Sequence, residues 1–239
     1  EAVALTTRSI FVKEARISRP ALLFQMVRVG VKAIPIVILI QTAIGVILPL
    51  QMFPKLEEFG QGDQIATINT IAALRELGPL MTAIILSGFA GASIAAELGT
   101  MVTSEEIEAL RATALNPVRF LVIPRMLATI VMTVLLSVIA DFVMVVAGLL
   151  TGMKLGIDYG IYYQLSIQAV DIMGFVSGLI KAGIYGLLIG LVSCYMGLNV
   201  KPWEGSEGVG RATTLTVVYS IVAVIIAAAI FTVIFFAYG

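Results

Sequence analysis

Long uncharged stretches dominate the pattern of hydrophobic and polar positions along the chain. A helix needs about 20 consecutive apolar residues to cross the hydrocarbon of a bilayer. Four stretches are free of charge or carry one ionisable residue: 33–54, 77–96, 126–153 around Asp141, and 212–239. A fifth, 182–200, extends back to about Ile172 and then includes Lys181. The pattern predicts an all-α integral membrane protein with five transmembrane helices, over residues 33–54, 77–97, 125–152, 171–198 and 212–237.

Composition supports a membrane protein and excludes several other classes. Apolar residues make up 59% of the chain and charged residues 13%, whereas a soluble domain carries about 25% charged residues. The chain has no His and a single Cys, which argues against a metal site or a His-based catalytic pair. A net charge of zero argues against nucleic acid as a partner. The P-loop motif for ATP does not occur in the sequence.

Basic residues are distributed unequally between the two sets of connecting segments. One side would carry only Lys55 and Lys154. Cytoplasmic segments of membrane proteins are enriched in Lys and Arg, so we expect a cytoplasmic N-terminus and an external C-terminus. Apart from Arg75 and Lys181, the remaining eleven basic residues would lie on the cytoplasmic side: Arg8, Lys13, Arg16, Arg19, Arg28, Lys32, Arg111, Arg119, Arg125, Lys201 and Arg211.

Residues 1–32 are too charged to cross a bilayer. Apolar residues such as Ile10, Phe11 and Leu22 alternate there with basic residues, which favours an amphipathic interfacial helix on the cytoplasmic face. A disordered basic tail is the alternative.

The cytoplasmic segment between the second and third predicted helices has a pattern of its own. Thr103 and Glu106 have the spacing of a capping box, which predicts the start of a short helix over 103–116. Ile107 and Leu110 would share one apolar side of that helix. Glu105, Glu106 and Glu108 would be repelled by anionic headgroups, so docking onto a soluble partner is favoured over resting on the membrane.

Four ionisable residues are expected in the outer half of the bilayer, where charge is costly and usually functional. Asp141 lies 16 residues beyond Arg125 and Lys181 lies 18 residues before Asn199, or about 24 and 27 Å from the cytoplasmic face at 1.5 Å per residue. Arg75 and Glu76 precede Gly78-Pro79 at the outer end of the second helix. Their shared depth predicts a polar cavity that opens outward, with Arg75 and Lys181 as anion ligands and Glu76 and Asp141 as counter-charges. Snorkelling to water is the alternative, and it is strongest for Asp171.

Small residues indicate where helices pack closely. Gly186 and Gly190 form a GxxxG motif, which lets two helix backbones approach each other. Packing alone accounts for this motif, without any chemistry.

Several motifs in order resemble the MlaE/YrbE permease family over nearly the whole chain. The matching segments are 29–37, 74–79, 95–101, 104–110, 116–121, 124–128 and 207–214. The resemblance implies a single ABC permease domain over 1–239, in the inner membrane of a bacterial cell envelope. It implies a subunit that moves lipid between membranes, and we expect this lipid to be phospholipid. Such a subunit is not itself an enzyme and needs no cofactor, since ATP and Mg²⁺ would bind a partner.

The resemblance also implies partners and site residues. Two copies of the permease would form the core, with a cytoplasmic ABC ATPase dimer on one side and a ring of MCE-domain proteins on the other. The lipid cavity would be lined by the positions of Arg75, Glu76 and Lys181, and the depth argument above adds Asp141 to them. Contact with the ATPase would fall to Glu105, Glu106, Glu108, Leu110 and Arg111.

One position departs from the family pattern. Family members often carry an acid eight residues after the position of Ser220, where this chain has Ala228. The role of that acid is then absent, or taken by Asp141 or Asp171. Three other functions stay open at this point: a self-sufficient channel or carrier, a structural membrane anchor and an intramembrane hydrolase. A carrier would need inverted repeats, which five spans do not give, and no catalytic pair is visible for a hydrolase.

Overall fold

The computed structural model describes residues 19–113 and 115–238, and it contains no β-strand in that part of the chain. Most of the predicted interfacial segment, with Arg8, Lys13 and Arg16, therefore lies outside the described residues. The α-helices are Arg19–Val29, Ile34–Glu58, Ile65–Ala72, Gly78–Leu86, Ala92–Thr103, Glu106–Ala112, Ile123–Lys154, Tyr159–Ala169, Ile172–Leu198 and Gly205–Tyr238. Three π-helical turns, Ala73–Leu77, Ser87–Gly91 and Val118–Val122, join some of them without a break.

Five helical segments of the described chain are long and apolar enough to cross a membrane, which confirms the predicted number. We refer to them as spans 1 to 5. They run over Pro20–Glu58, Gly62–Thr103, Val118–Lys154, Ile172–Leu198 and Pro202–Phe235. Several continue past the uncharged stretches because charged residues such as Lys55 and Glu97 are good helix formers.

The chain divides into two compact units. In its described part, the first unit consists of residues 19–33, 83–133 and 183–238. Span 4 packs closely on span 3 there: a Cβ on Gly186 would lie 2.8 Å from the Ile130 Cα and 2.9 Å from the Thr129 carbonyl oxygen. Glycine is therefore required at this crossing, as the GxxxG motif predicted.

The second unit consists of residues 34–82 and 134–182. Its apolar core is formed by Ile65, Ala66, Ile157 and the fully buried Tyr162. Tyr162 belongs to the helix Tyr159–Ala169, which the sequence did not predict. Asp158 begins this helix by accepting hydrogen bonds from the backbone N–H groups of residues 160 and 161, as N-cap residues do.

Candidate functional site

The predicted ionic residues of span 2 lie on a π-helical turn. Arg75 and Glu76 belong to the turn Ala73–Leu77, in which the Gly78 N–H bonds to the Ala73 carbonyl five residues earlier. Pro79 follows, and because proline has no N–H it cannot donate to the Arg75 carbonyl four residues before it. The sequence around Gly78-Pro79 thus interrupts the regular α-helical hydrogen bonding at the position of the charges. Such turns are frequent at functional sites.

Lys181 of span 4 binds this turn. Its Nζ donates to the Arg75 carbonyl at 3.1 Å and forms an ion pair with the Glu76 carboxylate. Only 2% of Lys181 is exposed, so its charge is neutralised inside the second unit and does not extend into water. One turn earlier on span 4, a Cβ on Gly178 would lie 2.2 Å from the Leu74 carbonyl oxygen. Glycine there allows the backbone of span 4 to approach the turn closely.

Arg75 reaches a different carboxylate. Its Nη2 lies 3.2 Å from Asp171 Oδ2, and about half of the Arg75 side chain is exposed. Asp171 also accepts hydrogen bonds from the backbone N–H groups of Met173 and Gly174, at 3.2 and 3.1 Å, and so caps the start of span 4. Asp171 is therefore a cap and an ion-pair partner, where the sequence favoured a residue that only snorkels.

Asp141 of span 3 is buried against the same turn. It is 3% exposed, and its Oδ1 has no hydrogen-bond partner among the described residues. A Cβ on Gly78 would overlap this carboxylate, so glycine at position 78 is what allows the acid to fit. A buried carboxylate with an unsatisfied oxygen is costly, which makes Asp141 a candidate for function and not merely for packing.

The structure brings all four predicted cavity residues to one turn, in the second unit. We call Arg75, Glu76, Asp141, Asp171 and Lys181 the Lys181 cluster. Glu76 and Lys181 are paired directly, Arg75 pairs with Asp171, and Asp141 contacts the turn at Gly78. The lipid-binding cavity that these residues would line stays a prediction. Ala228, at the position where the family often has an acid, is buried in the first unit.

Two buried amides beside the cluster were missed by sequence reasoning. Gln41 of span 1 is fully buried, and its Nε2 lies 3.5 Å from the Leu77 carbonyl oxygen at the end of the π-helical turn. Asn69 of span 2 donates to the Met144 carbonyl at 3.4 Å and to the Tyr162 hydroxyl at 3.5 Å. Burial raises the pKa of Tyr162 to about 12, so the phenol stays protonated. A polar residue within an uncharged run was the signal that could have identified Gln41.

The predicted coupling segment forms a helix that is shorter than expected. It covers Glu106–Ala112, and no side chain caps it: Thr103 instead donates to the Thr100 carbonyl, and Ser104 to the Glu106 carboxylate. The predicted capping box is therefore wrong. Glu105 begins the helix with a φ of 60°, a left-handed conformation in which its side chain cannot act as an N-cap of the usual kind.

The acidic residues of this helix face outward. Ile107 is buried and Leu110 is half-buried, whereas Glu105, Glu106, Glu108 and Arg111 are exposed. Glu108 and Arg111 also contribute to the rim of a cavity of about 240 Å³ in the first unit. Its lining consists of Val102, Ile107, Glu108, Arg111, Pro117, Val118, Leu198 and Pro202.

A second ionic cluster, which the sequence did not reveal, lies in the first unit. We call Arg28, Glu97 and Arg125 the Glu97 cluster. Glu97 Oε2 lies 2.7 Å from Arg28 Nη1, and Glu97 Oε1 lies 2.8 Å from Arg125 Nη2. Arg125 is 4% exposed and also donates from Nη1 to the Leu121 carbonyl at 2.7 Å. Glu97 looked like the end of an uncharged run and Arg125 like a basic loop residue, but both lie inside helices.

In the described part of the chain, no group of three or more Cys, Asp and Glu side chains is placed to hold a metal ion. The candidate functional features of the described residues are the two ionic clusters and the exposed acidic helix.

The sequence matches the model of the family described as Permease MlaE over residues 22–234. A protein of Rickettsia bellii, named a probable ABC transporter permease protein, is 35% identical over 92% of this chain and 86% of its own length. The intermembrane phospholipid transport system permease protein MlaE of Haemophilus influenzae is 31% identical over 84% of this chain and 77% of its own length. The chloroplastic protein trigalactosyldiacylglycerol 1 of Arabidopsis thaliana is 32% identical over 85% of this chain and 58% of its own length.

Proposed function

The chain belongs to the MlaE permease family, and we propose that it is the membrane-spanning subunit of an ATP-driven transporter that moves phospholipid between membranes of the cell envelope. The name of the Haemophilus relative, which refers to intermembrane phospholipid transport, supports this substrate. The observation that carries the proposal is the Lys181 cluster, because a membrane anchor would not need so many ionic groups on one turn inside its spans.

In this proposal the Lys181 cluster binds the lipid phosphate. Arg75 is half-exposed and carries a planar guanidinium, which matches the oxygens of a phosphate well. Lys181 holds the turn through the Arg75 carbonyl and balances Glu76, so it supports Arg75 and offsets the repulsion that Glu76 would exert on a phosphate. Glu76 and Asp171 are the counter-charges that pair with Lys181 and Arg75 and keep the empty site close to neutral.

The exposed acidic helix is the docking site for a separate ATPase, which binds ATP and Mg²⁺. Ile107 anchors the helix in the first unit while Glu105, Glu106, Glu108 and Arg111 remain accessible, and Leu110 completes the contact surface. Closure of the ATPase dimer would displace this helix and thereby move spans 2 and 3, to which it is joined. The phosphate site lies on span 2, so the displacement would change its affinity for lipid.

The remaining parts of the assembly follow from the family and from the basic residues. Two copies of the chain form the core in the bacterial inner membrane, with the N-terminus in the cytoplasm and the C-terminus in the periplasm. An ATPase dimer binds the cytoplasmic side, and a ring of MCE-domain proteins extends the lipid path outside.

Charge reversal of the acidic helix tests the docking assignment. The double variant Glu106→Lys/Glu108→Lys should lose the ATPase on purification of the native complex, because a basic partner surface would be repelled. The variant Glu57→Lys/Asp63→Lys changes the charge equally, at exposed positions in the second unit, and should retain it. An ATPase that co-purifies equally with both variants would overturn the assignment.

Purification of the unaltered chain separates this function from its rivals. A permease of the proposed kind should bring down an ABC ATPase and an MCE-domain protein, together with phospholipid. A channel, a carrier or a simple anchor should bring down neither protein.

A further inference from the structure

The Glu97 cluster connects the two ends of the segment that carries the acidic helix. Glu97 belongs to the helix Ala92–Thr103, which precedes the segment, and Arg125 to the helix Ile123–Lys154, which follows it. Arg28 joins the cluster from the helix Arg19–Val29. We propose that this cluster clamps the base of residues 104–122, the coupling segment, so that a push on the acidic helix moves spans 2 and 3 together. The proposal rests on the function proposed above.

Both oxygens of the Glu97 carboxylate are engaged, each by a different arginine. Arg125 is almost completely buried and uses its two terminal nitrogens for two partners, the carboxylate and the Leu121 carbonyl. A planar guanidinium whose two terminal nitrogens are held by two different acceptors has little freedom to rotate. The ion pair therefore fixes the distance between the end of span 2 and the start of span 3.

The acidic helix within the coupling segment buries few side chains of its own. This helix, Glu106–Ala112, has seven residues and buries a single side chain, Ile107, among the described residues. A helix of this length is not stable by itself in water. Side-chain bonds within one or two turns also shape the segment, such as those that Asn116 Oδ1 accepts from the Val118 and Arg119 N–H groups. Without a fixed base, the segment would hinge when the ATPase pushes on it.

The members of the cluster are positioning residues, since in this proposal they touch neither lipid nor ATPase. Their loss should leave docking and ATP hydrolysis in place but reduce the work done per ATP. A residue with only a structural role would instead lower the amount of folded complex without changing the ratio of the two activities.

The decisive experiment measures lipid moved per ATP hydrolysed by the native complex in proteoliposomes. Glu97→Gln keeps the size of the side chain but removes its charge, and it should lower this ratio by about tenfold, in the range of ordinary coupling free energies. The matched control is Glu58→Gln, which breaks the exposed Lys55–Glu58 ion pair and should leave the ratio unchanged. A folded Glu97→Gln complex with the wild-type ratio would overturn the proposal.

Two further arms keep the result interpretable. If the Glu97→Gln complex does not assemble, the ratio of lipid moved to ATP hydrolysed is measured for Arg28→Gln instead. Arg28 is partly exposed, so its loss is compatible with folding. An unchanged ratio in Arg28→Gln would then overturn the clamp. Hydrogen exchange of the full chain in detergent tests the clamp without any ATPase: amides of residues 104–113 should exchange faster in either variant. If the unaltered chain binds no ATPase but residues 104–113 still exchange faster in the variants than in the unaltered chain, the proposed function fails and the clamp survives.

Discussion

Two π-helical turns of the chain share one sequence pattern but are completed in different ways. Ala73–Leu77 ends two residues before Pro79, and Val118–Val122 ends two residues before Pro124. In each turn the next N–H bonds five residues back, from Gly78 to Ala73 and from Ile123 to Val118. Both turns also lie beside an ionic cluster.

The cations that bind the two turns come from different places. At the first turn, Lys181, which lies 106 residues after Arg75 in the sequence, donates to the Arg75 carbonyl. This is the carbonyl to which Pro79 cannot donate, because proline has no N–H. At the second turn, Arg125 comes from the same helix and donates to the Leu121 carbonyl four residues earlier. Pro124 lacks the N–H that would donate to the Phe120 carbonyl four residues earlier, so Arg125 bonds to a different carbonyl from the one affected by the proline.

This difference in the origin of the cation fits the two roles proposed above, a phosphate site at the first turn and a clamp at the second. A turn completed by a distant lysine depends on the position of another span, and it leaves Arg75 half-exposed for a ligand. The second turn is bonded by an arginine of the helix that directly follows it. The other terminal nitrogen of this arginine pairs with Glu97. We therefore expect the first turn to change during transport and the second to remain rigid.

The largest effect should come from removing the distant cation. Lys181→Met removes the ammonium that pairs with the Glu76 carboxylate, whose side chain is 34% exposed, and it should cost up to about 3–5 kcal/mol of unfolding free energy, the range for breaking a buried ion pair. Lys55→Met removes a cation from an exposed pair and should cost less than about 1 kcal/mol. Thermal unfolding of the purified chain measures both. Equal losses would show that Lys181 behaves like a surface residue.

A methyl group at the first turn should have the next largest effect. Gly78→Ala would place its Cβ on the Asp141 carboxylate, and overpacking of this kind costs about 1–3 kcal/mol. Gly88→Ala is the control, because nothing lies within 4 Å of a Cβ there. The added variant Asp141→Ala should restore much of the stability lost in Gly78→Ala. No restoration would mean that the acid is not what requires glycine.

The prolines provide a double-mutant cycle that tests the comparison itself. Pro79→Ala supplies an N–H to the Arg75 carbonyl, so Lys181→Met should cost about 1 kcal/mol less in that background. Arg125 does not donate to the carbonyl affected by Pro124. The cycle of Pro124→Ala with Arg125→Met should therefore show a smaller coupling. Similar couplings in the two cycles would remove the distinction between the turns.

The smallest effect concerns the exposed ion pair of the Lys181 cluster. Asp171→Ala removes a helix cap, worth about 1 kcal/mol, and an exposed ion pair with Arg75 that adds less than that. Asp158→Ala removes a similar cap from a residue without an ion pair among those described. The excess cost of Asp171→Ala over Asp158→Ala should therefore be a few tenths of a kcal/mol and should vanish at high salt. An excess that persists in salt would indicate a stronger contact.

Much of the fold could be predicted because it depends on patterns with one simple cause. Uncharged runs identified five spans, and Gly186 with Gly190 identified a close helix crossing. Counting residues from the cytoplasmic side placed Lys181 in the outer half of the bilayer, and the outer end of the second helix placed Glu76 there too; the two residues are paired in the structure. Depth alone could not show which side chains meet.

The parts that could not be predicted depend on backbone geometry that sequence periodicity does not report. The π-helical turns follow from prolines at particular offsets together with contacts from other spans. Glu97 and Arg125 were assigned to span ends because an uncharged run stops at a charge, whereas a helix continues through a charge that is paired. Thr103 and Glu106 had the spacing of a capping box, but Glu105 adopts a left-handed conformation that prevents it.

The most direct test of the account is the phospholipid content of the native complex, measured by mass spectrometry for the wild type and for Arg75→Gln. Arg75 is half-exposed, so its replacement should leave the fold intact. One lost hydrogen bond between charged groups, about 1.5–3 kcal/mol, should lower bound phospholipid by about tenfold or more, while Lys55→Gln should lower it little. Equal phospholipid in the wild type and in Arg75→Gln would contradict the account, because Arg75 would then only extend to headgroup water.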